Sequence, residues 1–217
     1  MLNGIKAAIF DMDGTLIDSM GVWTRIDIDF LEKRGFQVPK NLKASIEHLT
    51  FLECAEYFKK NFALQDTLQE IMDEWNEMAK DAYEFNIKLK PGAKEYLNLL
   101  KSLGIKLSIA TSNTLSLIDK VLKSNEIYSL FESITTVDEV TRGKNFPDIY
   151  LLAAKKLGVL PNECLVFEDI LPAVLGAKAA GMKVIGVNDA YSDYQKADIM
   201  IHADKYIFEF YELIDVM

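Results

Sequence analysis

Short apolar runs alternate with amphipathic stretches along most of this chain, and that alternation restricts the possible folds more than any other feature. The runs are five to seven residues long and rich in Ile and Val, which is typical of strands buried in a parallel sheet. The amphipathic stretches between them are typical of crossover helices. The strand candidates are IKAAIF (5–10), IKLSIAT (105–111), SITTV (133–137), CLVFED (164–169), MKVIGV (182–187) and, with a weaker pattern, DIMIH (198–202).

Three glycines support the same architecture. Gly104, Gly158 and Gly181 each follow a helix-like stretch and come shortly before an apolar run. A helix commonly ends there with a residue of positive φ, which glycine adopts without steric cost. The sequence therefore predicts the α/β class with a parallel sheet.

Residues 19–88 interrupt the alternation, because they contain no convincing strand and show helical spacing throughout. Aromatic residues at such spacing belong more often to a core than to a ligand cleft, so we expect Trp75 to be a core residue. The Pro-Gly pair at 91–92 marks the return to the main domain. We predict a core domain of residues 1–18 and 89–217 with an all-helical insertion of residues 19–88.

The charge balance narrows the range of partners. The 217-residue chain has a formal net charge of −9 and no long run of Lys or Arg. This argues against a nucleic-acid backbone or an anionic membrane surface as the main partner. We therefore expect a small-molecule ligand, while the sequence carries no signal for an oligomeric state.

The cysteines, the histidines and the N-terminus indicate the cellular compartment and the kind of metal site to expect. Cys54 and Cys164 lie far apart in the sequence. With His48 and His202 as its two histidines, the chain has too few to favour a zinc site built from histidines. The first residues lack a signal-peptide core, and no apolar run approaches the ~20 residues of a membrane span. We expect a reduced, cytoplasmic protein.

Polar residues follow several of the predicted strands, where ligands of open α/β sheets bind. In chain order they are Asp11 and Asp13, Thr111, Ser112 and Asn113, Lys144, and Glu168 and Asp169. Four carboxylates and one lysine need a further cation, and oxygen ligands without His or Cys suit Mg²⁺. The metal and the lysine would in turn attract an anion, and backbone N–H groups around residues 12–15 and 112–113 could bind its oxygens. The pattern predicts a magnesium and phosphate site.

These residues resemble the haloacid dehalogenase superfamily, in the branch of phosphatases and β-phosphoglucomutase-like enzymes that carry a helical cap after the first strand. The resemblance covers almost the whole chain and implies a Rossmann-like three-layer core with an inserted all-α cap domain. Four motifs occur in the family's order: DMDGTLIDS (11–19), SIATSN (108–113), GKNFPDIY (143–150), and VFEDI (166–170) followed by GAKAAGM (176–182).

The resemblance implies a role for each candidate. Asp11 is the nucleophile that forms an aspartyl-phosphate, and Asp13 is the general acid and base. Thr111 and Lys144 hold the transferring phosphoryl oxygens, and the backbone around Ser112 and Asn113 contributes to the same phosphate site.

The resemblance also implies how Mg²⁺ is bound. Its ligands are the Asp11 side chain, the Asp13 backbone carbonyl and Asp169, with Glu168 adjacent and acting through water. By contrast, Asp18 and Asp138 are expected to be structural loop residues.

Three alternatives stay open beside a Mg²⁺-dependent phosphatase. A β-phosphoglucomutase-like phosphotransferase needs a cap arginine and a histidine where this chain has Trp23, and residues 46–58 supply no arginine. A dehalogenase would not need Asp13 or the acids at 168–169. A non-catalytic binding protein would be expected to lack Asp11, Asp13 or Lys144.

The substrate class comes from the resemblance alone, which implies a small phosphorylated metabolite such as a sugar phosphate. The candidate contacts in the insertion are Lys40, Lys43, His48 and Trp75.

Overall fold

Six parallel strands form one sheet in the order β3-β2-β1-β4-β5-β6. The structure is a computed structural model and describes residues 2–47 and 49–214; the candidate contact His48 and the ends of the predicted core domain, Met1 and 215–217, lie outside them. The strands are β1 (Ala7–Phe10), β2 (Lys106–Thr111), β3 (Ser133–Thr136), β4 (Cys164–Glu168), β5 (Lys183–Val187) and β6 (Lys205–Ile207). The predicted α/β class is confirmed.

Helices cover both faces of the sheet. They are α1 (Met20–Lys33), α2 (Leu42–Ile46), α3 (Phe51–Asn61), α4 (Leu68–Asp81), α5 (Ala93–Ser102), α6 (Leu115–Ser124), α7 (Asp148–Leu157), α8 (Leu171–Ala179), α9 (Lys196–His202) and α10 (Tyr211–Ile214). None of the described helices combines the length and the apolar composition that crossing a bilayer requires.

Alternation of side chains along each strand creates the three layers. In β1, Ala8 and Phe10 pack with residues of α5 and α6, and the Phe10 ring stacks on Phe167 of β4 at 4.4 Å between centroids. The neighbouring residues Ala7 and Ile9 pack instead with residues of α7 and α8. Both faces are buried, which explains why the strands read as continuous apolar runs.

The predicted strand at 198–202 is wrong, because this segment belongs to α9 and the sixth strand is β6. Within α9, Ile199 is buried, whereas Met200 and Ile201 are 56% and 73% exposed. The run is apolar, but its burial does not alternate as a strand requires. By contrast, Gly104, Gly158 and Gly181 end their helices with positive φ, as predicted.

The insertion between β1 and β2 is helical, and the described part of residues 19–88 contains no strand. Its core is aromatic: Trp75 is 3% exposed and makes edge contacts with Phe30, Phe51 and Phe58. The expectation that Trp75 is a core residue is confirmed. The division of the chain into two domains at these bounds stays a prediction.

Gly176 of α8 generates the first testable prediction, because a Cβ atom there would lie 2.0 Å from the carbonyl oxygen of Lys144. Alanine in a helix is normally about 1 kcal/mol more favourable than glycine. Here we expect Gly176→Ala to lower the free energy of unfolding by about 1 to 3 kcal/mol, because the loop carrying Lys144 must move.

Urea unfolding measures this change. Leu175→Ala is the matched control, since Leu175 lies in the same helix and is 41% exposed. A Gly176→Ala protein as stable as the wild type would contradict the close approach.

Candidate active site

The sheet order gathers the candidate residues. Because β1 lies between β2 and β4, the residues after β1 lie between those after the two neighbours. All eight residues predicted for the site line one cavity of about 380 Å³: Asp11, Asp13, Thr111, Ser112, Asn113, Lys144, Glu168 and Asp169. The exposed Asp18 and Asp138 do not line it.

Lys144 forms a buried ion-pair network at the floor of this cavity. Its Nζ atom lies 2.5 Å from Asp11 Oδ1 and 2.5 Å from Glu168 Oε1. The Tyr150 hydroxyl donates to the same Glu168 oxygen at 2.7 Å. Burial acts to lower the pKa of Lys144, but the charges of Asp11 and Glu168 outweigh it and the pKa is raised. Lys144 is therefore positively charged at neutral pH.

Three acids beside Lys144 have the geometry of a cation site. Oxygens of Asp11, Glu168 and Asp169 lie within 4.8 Å of one another. Burial raises the pKa of Glu168 and of Asp169 to about 8, and the charge of Asp11 adds to both shifts. Glu168 Oε2 is buried without a hydrogen-bond partner among the described residues. This oxygen-only donor set with an unsatisfied buried oxygen fits Mg²⁺.

Asp13 has different surroundings, and its carboxylate is held by several donors. Ser19 Oγ donates to Oδ1 at 2.7 Å, and Asn113 Nδ2 donates to Oδ2 at 2.9 Å. The Tyr83 hydroxyl also donates to Oδ1 and itself accepts from Trp23 Nε1 at 2.6 Å. Burial raises the pKa of Asp13, while its hydrogen bond from Tyr83 acts to lower it.

The segment after β2 is a compact turn. The Thr111 hydroxyl accepts from the backbone N–H of Asn113 at 3.1 Å, and Asn113 Oδ1 accepts from the N–H of Thr114 at 2.7 Å. Thr111 and Asn113 are buried, and Ser112 is half-buried between them.

The insertion supplies the other wall of the cavity. Of the predicted contacts within the described residues, Lys40, Lys43 and Trp75 line it. Lys43 donates to the backbone carbonyl of Tyr191 in the loop after β5. Burial lowers the pKa of Lys43.

Sequence reasoning missed several residues around the site. Tyr83 lies in a π-helical turn, Ala82–Asn86, which follows α4 and has no sequence signature of its own. Thr15 donates to Asp169 Oδ1 at 3.0 Å, and Ser19 donates to Asp13; both belong to the first motif. Their place in that motif is the feature from which the sequence could have identified Thr15 and Ser19.

Sequence comparison identifies the family. A model of the family described as haloacid dehalogenase-like hydrolase matches residues 8–187. The chain belongs to the haloacid dehalogenase-like hydrolases, and the family predicted from the four motifs is confirmed.

Named relatives of the chain are phosphatases. It is 30% identical over 189 residues to hexitol phosphatase B of Escherichia coli (strain K12), covering 84% of this chain and 83% of the relative. It is 30% identical over 190 residues to a phosphorylated carbohydrates phosphatase of Thermotoga maritima, covering 87% and 88%. With the family match, these relatives confirm the predicted enzyme class, a phosphoric monoester hydrolase.

A solved structure shares the fold of this chain. CbbY from Rhodobacter sphaeroides, in complex with phosphate, matches with a TM-score of 0.84 at 25% identity, covering 96% of each chain. The similarity extends over the sheet and over the helical insertion, since both lie within the matched length.

Asp27 of α1 also lines the cavity, and it generates a prediction about stability. Burial raises its pKa to about 7, and it has no hydrogen bond or ion pair with a described residue. The neighbouring titratable group is the Cys54 thiol, whose own pKa is raised by burial and then by Asp27. In the unfolded chain an aspartate titrates near ~3.9.

The native state thus binds more protons than the unfolded chain between about pH 4 and 7, so this group lowers stability as pH rises through that window. We expect the free energy of unfolding of Asp27→Asn to exceed that of the wild type by about 1 to 2 kcal/mol near pH 8. This value is smaller than the full pKa shift would give, because Asp27 is only half-buried and solvent screens its charge. The difference should shrink toward pH 5.

Urea unfolding at several pH values checks this. Asp29→Asn is the control, because Asp29 lies on the same helix and is ion-paired with Arg25 at 2.7 Å. A wild type more stable than Asp27→Asn near pH 8 would show that Asp27 has a stabilising partner.

Proposed function

We propose that this protein is a Mg²⁺-dependent phosphatase that hydrolyses the monophosphate ester of a small metabolite through an aspartyl-phosphate on Asp11. The observation that carries the proposal is the contact of Lys144 with both Asp11 and Glu168, beside Asp169. A nucleophilic carboxylate, a fixed positive charge and a cation-binding cluster are the groups that phosphoryl transfer requires.

Asp11 performs the first step. Its Oδ1 atom is paired with Lys144, and its Oδ2 atom accepts no hydrogen bond from a described residue. We assign Oδ2 as the atom that attacks phosphorus, so that an O–P bond forms on Asp11 while the bond from phosphorus to the leaving oxygen breaks.

Asp13 moves the proton. Burial raises its pKa, which favours the protonated form that can donate to the leaving oxygen. The resulting carboxylate then removes a proton from a water molecule that attacks phosphorus, which releases inorganic phosphate and frees Asp11. Ser19, Tyr83 and Asn113 hold the carboxylate in position through this cycle.

The charged groups balance the phosphoryl oxygens. Lys144, the Thr111 hydroxyl and the backbone at Ser112 and Asn113 bind these oxygens in our assignment. Asp11, Asp169 and the Asp13 carbonyl, with Glu168 nearby, would hold Mg²⁺, which when bound stabilises negative charge on the phosphoryl group.

We propose that residues 19–88 form a cap domain over a core of residues 1–18 and 89–217. In support, Glu47 after α2 accepts from the Tyr194 hydroxyl and from Gln195 Nε2, both at 2.5 Å. These bonds join the insertion to the loop after β5. Opening and closing of such a segment admits substrate and excludes water.

The relatives bear on the substrate. Two of them are named for their action on hexitol phosphate and on phosphorylated carbohydrates. We propose a substrate of the same kind, a small hydroxylated phosphate ester. A mutase-like phosphotransferase has less support, because no arginine of the described residues lines the cavity and Trp23 is bound to Tyr83.

Replacement of the nucleophile tests the mechanism. Asp11→Asn should reduce Mg²⁺-dependent release of p-nitrophenol from p-nitrophenyl phosphate by about a thousandfold or more, because the amide is a poor nucleophile. Asp18→Asn, an exposed position in the same motif, is the control and should retain activity. Appreciable turnover by Asp11→Asn would show that another residue attacks phosphorus.

Removal of divalent metal tests the cation site. We expect a chelator to reduce hydrolysis of the same aryl phosphate to near background, since the cation that would stabilise negative charge on the phosphoryl group is then removed. Added Mg²⁺ should restore the rate, while circular dichroism verifies that the chelated protein stays folded. Full activity in the chelator would contradict the assigned role of the acidic cluster.

A further inference from the structure

The wall of the cavity that the insertion provides is mostly apolar. Its lining side chains include Ile28, Val38, Leu42, Ile46, Phe51 and Phe58. Such a surface suits the carbon skeleton of a ligand, so the few polar side chains in this wall would distinguish one leaving group from another.

Asp27 is one of these polar side chains; the others are Thr24, Lys40, Lys43 and Glu47. Asp27 is half-buried, it lines the cavity and it makes no hydrogen bond or ion pair with a described residue. Burial without a partner normally disfavours a carboxyl group, so a well-packed core would not retain one. The unpaired oxygens are available to a molecule inside the cavity.

Of the three lysines that line the cavity, two have partners elsewhere, and the third, Lys40, is exposed. Lys144 is paired with Asp11 and Glu168. Lys43 donates to the Tyr191 carbonyl, and the charges that act on it are those of Asp169, Asp189 and Glu47. None of the three lysines is ion-paired with Asp27, which has no salt bridge to any described residue.

We propose that Asp27 is a specificity-determining residue that accepts hydrogen bonds from hydroxyl groups of the leaving group and disfavours leaving groups that carry negative charge. The inference rests on the proposed phosphatase function and adds the substrate class: monophosphate esters of neutral polyhydroxy compounds.

The preference for hydroxyl groups and the selection against negative charge both follow from elementary electrostatics. A hydrogen bond to a charged group contributes more than one between neutral groups, and a substrate hydroxyl would satisfy an acceptor that is otherwise unpaired. A carboxylate on the leaving group would instead bring two like charges together in a poorly solvated space, and that repulsion selects against it.

The experiment compares two substrates that differ in this charge. Sorbitol 6-phosphate has a neutral, hydroxylated leaving group, and 2-phosphoglycolate has an anionic one. With Mg²⁺ present at pH 8, where Asp27 is mostly ionised, we expect the wild type to show a kcat/KM at least about tenfold higher for sorbitol 6-phosphate. That factor is the value of roughly one charged hydrogen bond.

Asp27→Asn should reduce this ratio by about tenfold, mainly through a higher KM for sorbitol 6-phosphate and a lower KM for 2-phosphoglycolate. Asp29→Asn makes the same change of charge on the same helix, outside the cavity, and should leave the ratio unchanged. Opposite changes in KM for the two substrates would indicate altered recognition, because a general structural effect would not favour one substrate over the other.

Hydrolysis of p-nitrophenyl phosphate by the wild type separates the two levels of failure. Suppose that p-nitrophenyl phosphate is hydrolysed. The role of Asp27 is then overturned if the wild type prefers 2-phosphoglycolate, if it hydrolyses neither metabolite, or if Asp27→Asn keeps the wild-type ratio within about twofold. In each of these cases the proposed phosphatase function still stands. If no ester is hydrolysed, the proposed function itself fails. The wild-type preference tests the inference without any substitution.

Discussion

The buried charge of Lys144 is the interaction on which the rest of the site depends. Its ammonium group contacts Asp11 and Glu168 at the same time, and a third acid, Asp169, lies beside them. Lys144 lowers the pKa of Glu168 and of Asp169, so without this charge their pKa values, already raised to about 8 by burial, would rise further. The loop after β3 must therefore deliver Lys144 accurately, and Gly176 of α8 leaves the space for its backbone.

The second constraint is the connection between the site and the helical insertion. Asp13 lies next to β1, but Ser19 and Tyr83, two of the side chains that hold it, lie at the beginning and near the end of the insertion. On the other side, Gln195 donates to Glu47 and accepts from the backbone N–H of Leu171, the first residue of α8. Contacts from the insertion thus reach both the proposed acid-base residue and the loop carrying Asp169.

Much of this arrangement could be predicted from sequence because it depends on local pattern. The apolar runs identified five strands. The eight residues predicted for the site from the ends of these runs and the loops after them all line the cavity. The run at 198–202 failed because apolar composition does not distinguish a short helix with one buried residue from a strand. Tyr83 could not be found, since its contact with Asp13 spans 70 residues and depends on a π-helical turn.

The distribution of perturbed carboxyl groups connects these observations. Away from the cavity, Asp66, Glu74 and Glu163 have lowered pKa values through hydrogen bonds with Arg34 or Lys6. Among the described residues, the acids whose pKa is raised all line the cavity: Asp13, Asp27, Glu168 and Asp169. Elsewhere hydrogen bonds favour the charged form of these acids, whereas in the cavity burial disfavours it. Such a loss of stability is expected at a functional site. Asp27 belongs to this group although it lies apart from the sheet edge, and a role toward the ligand accounts for both its position and its lack of a partner.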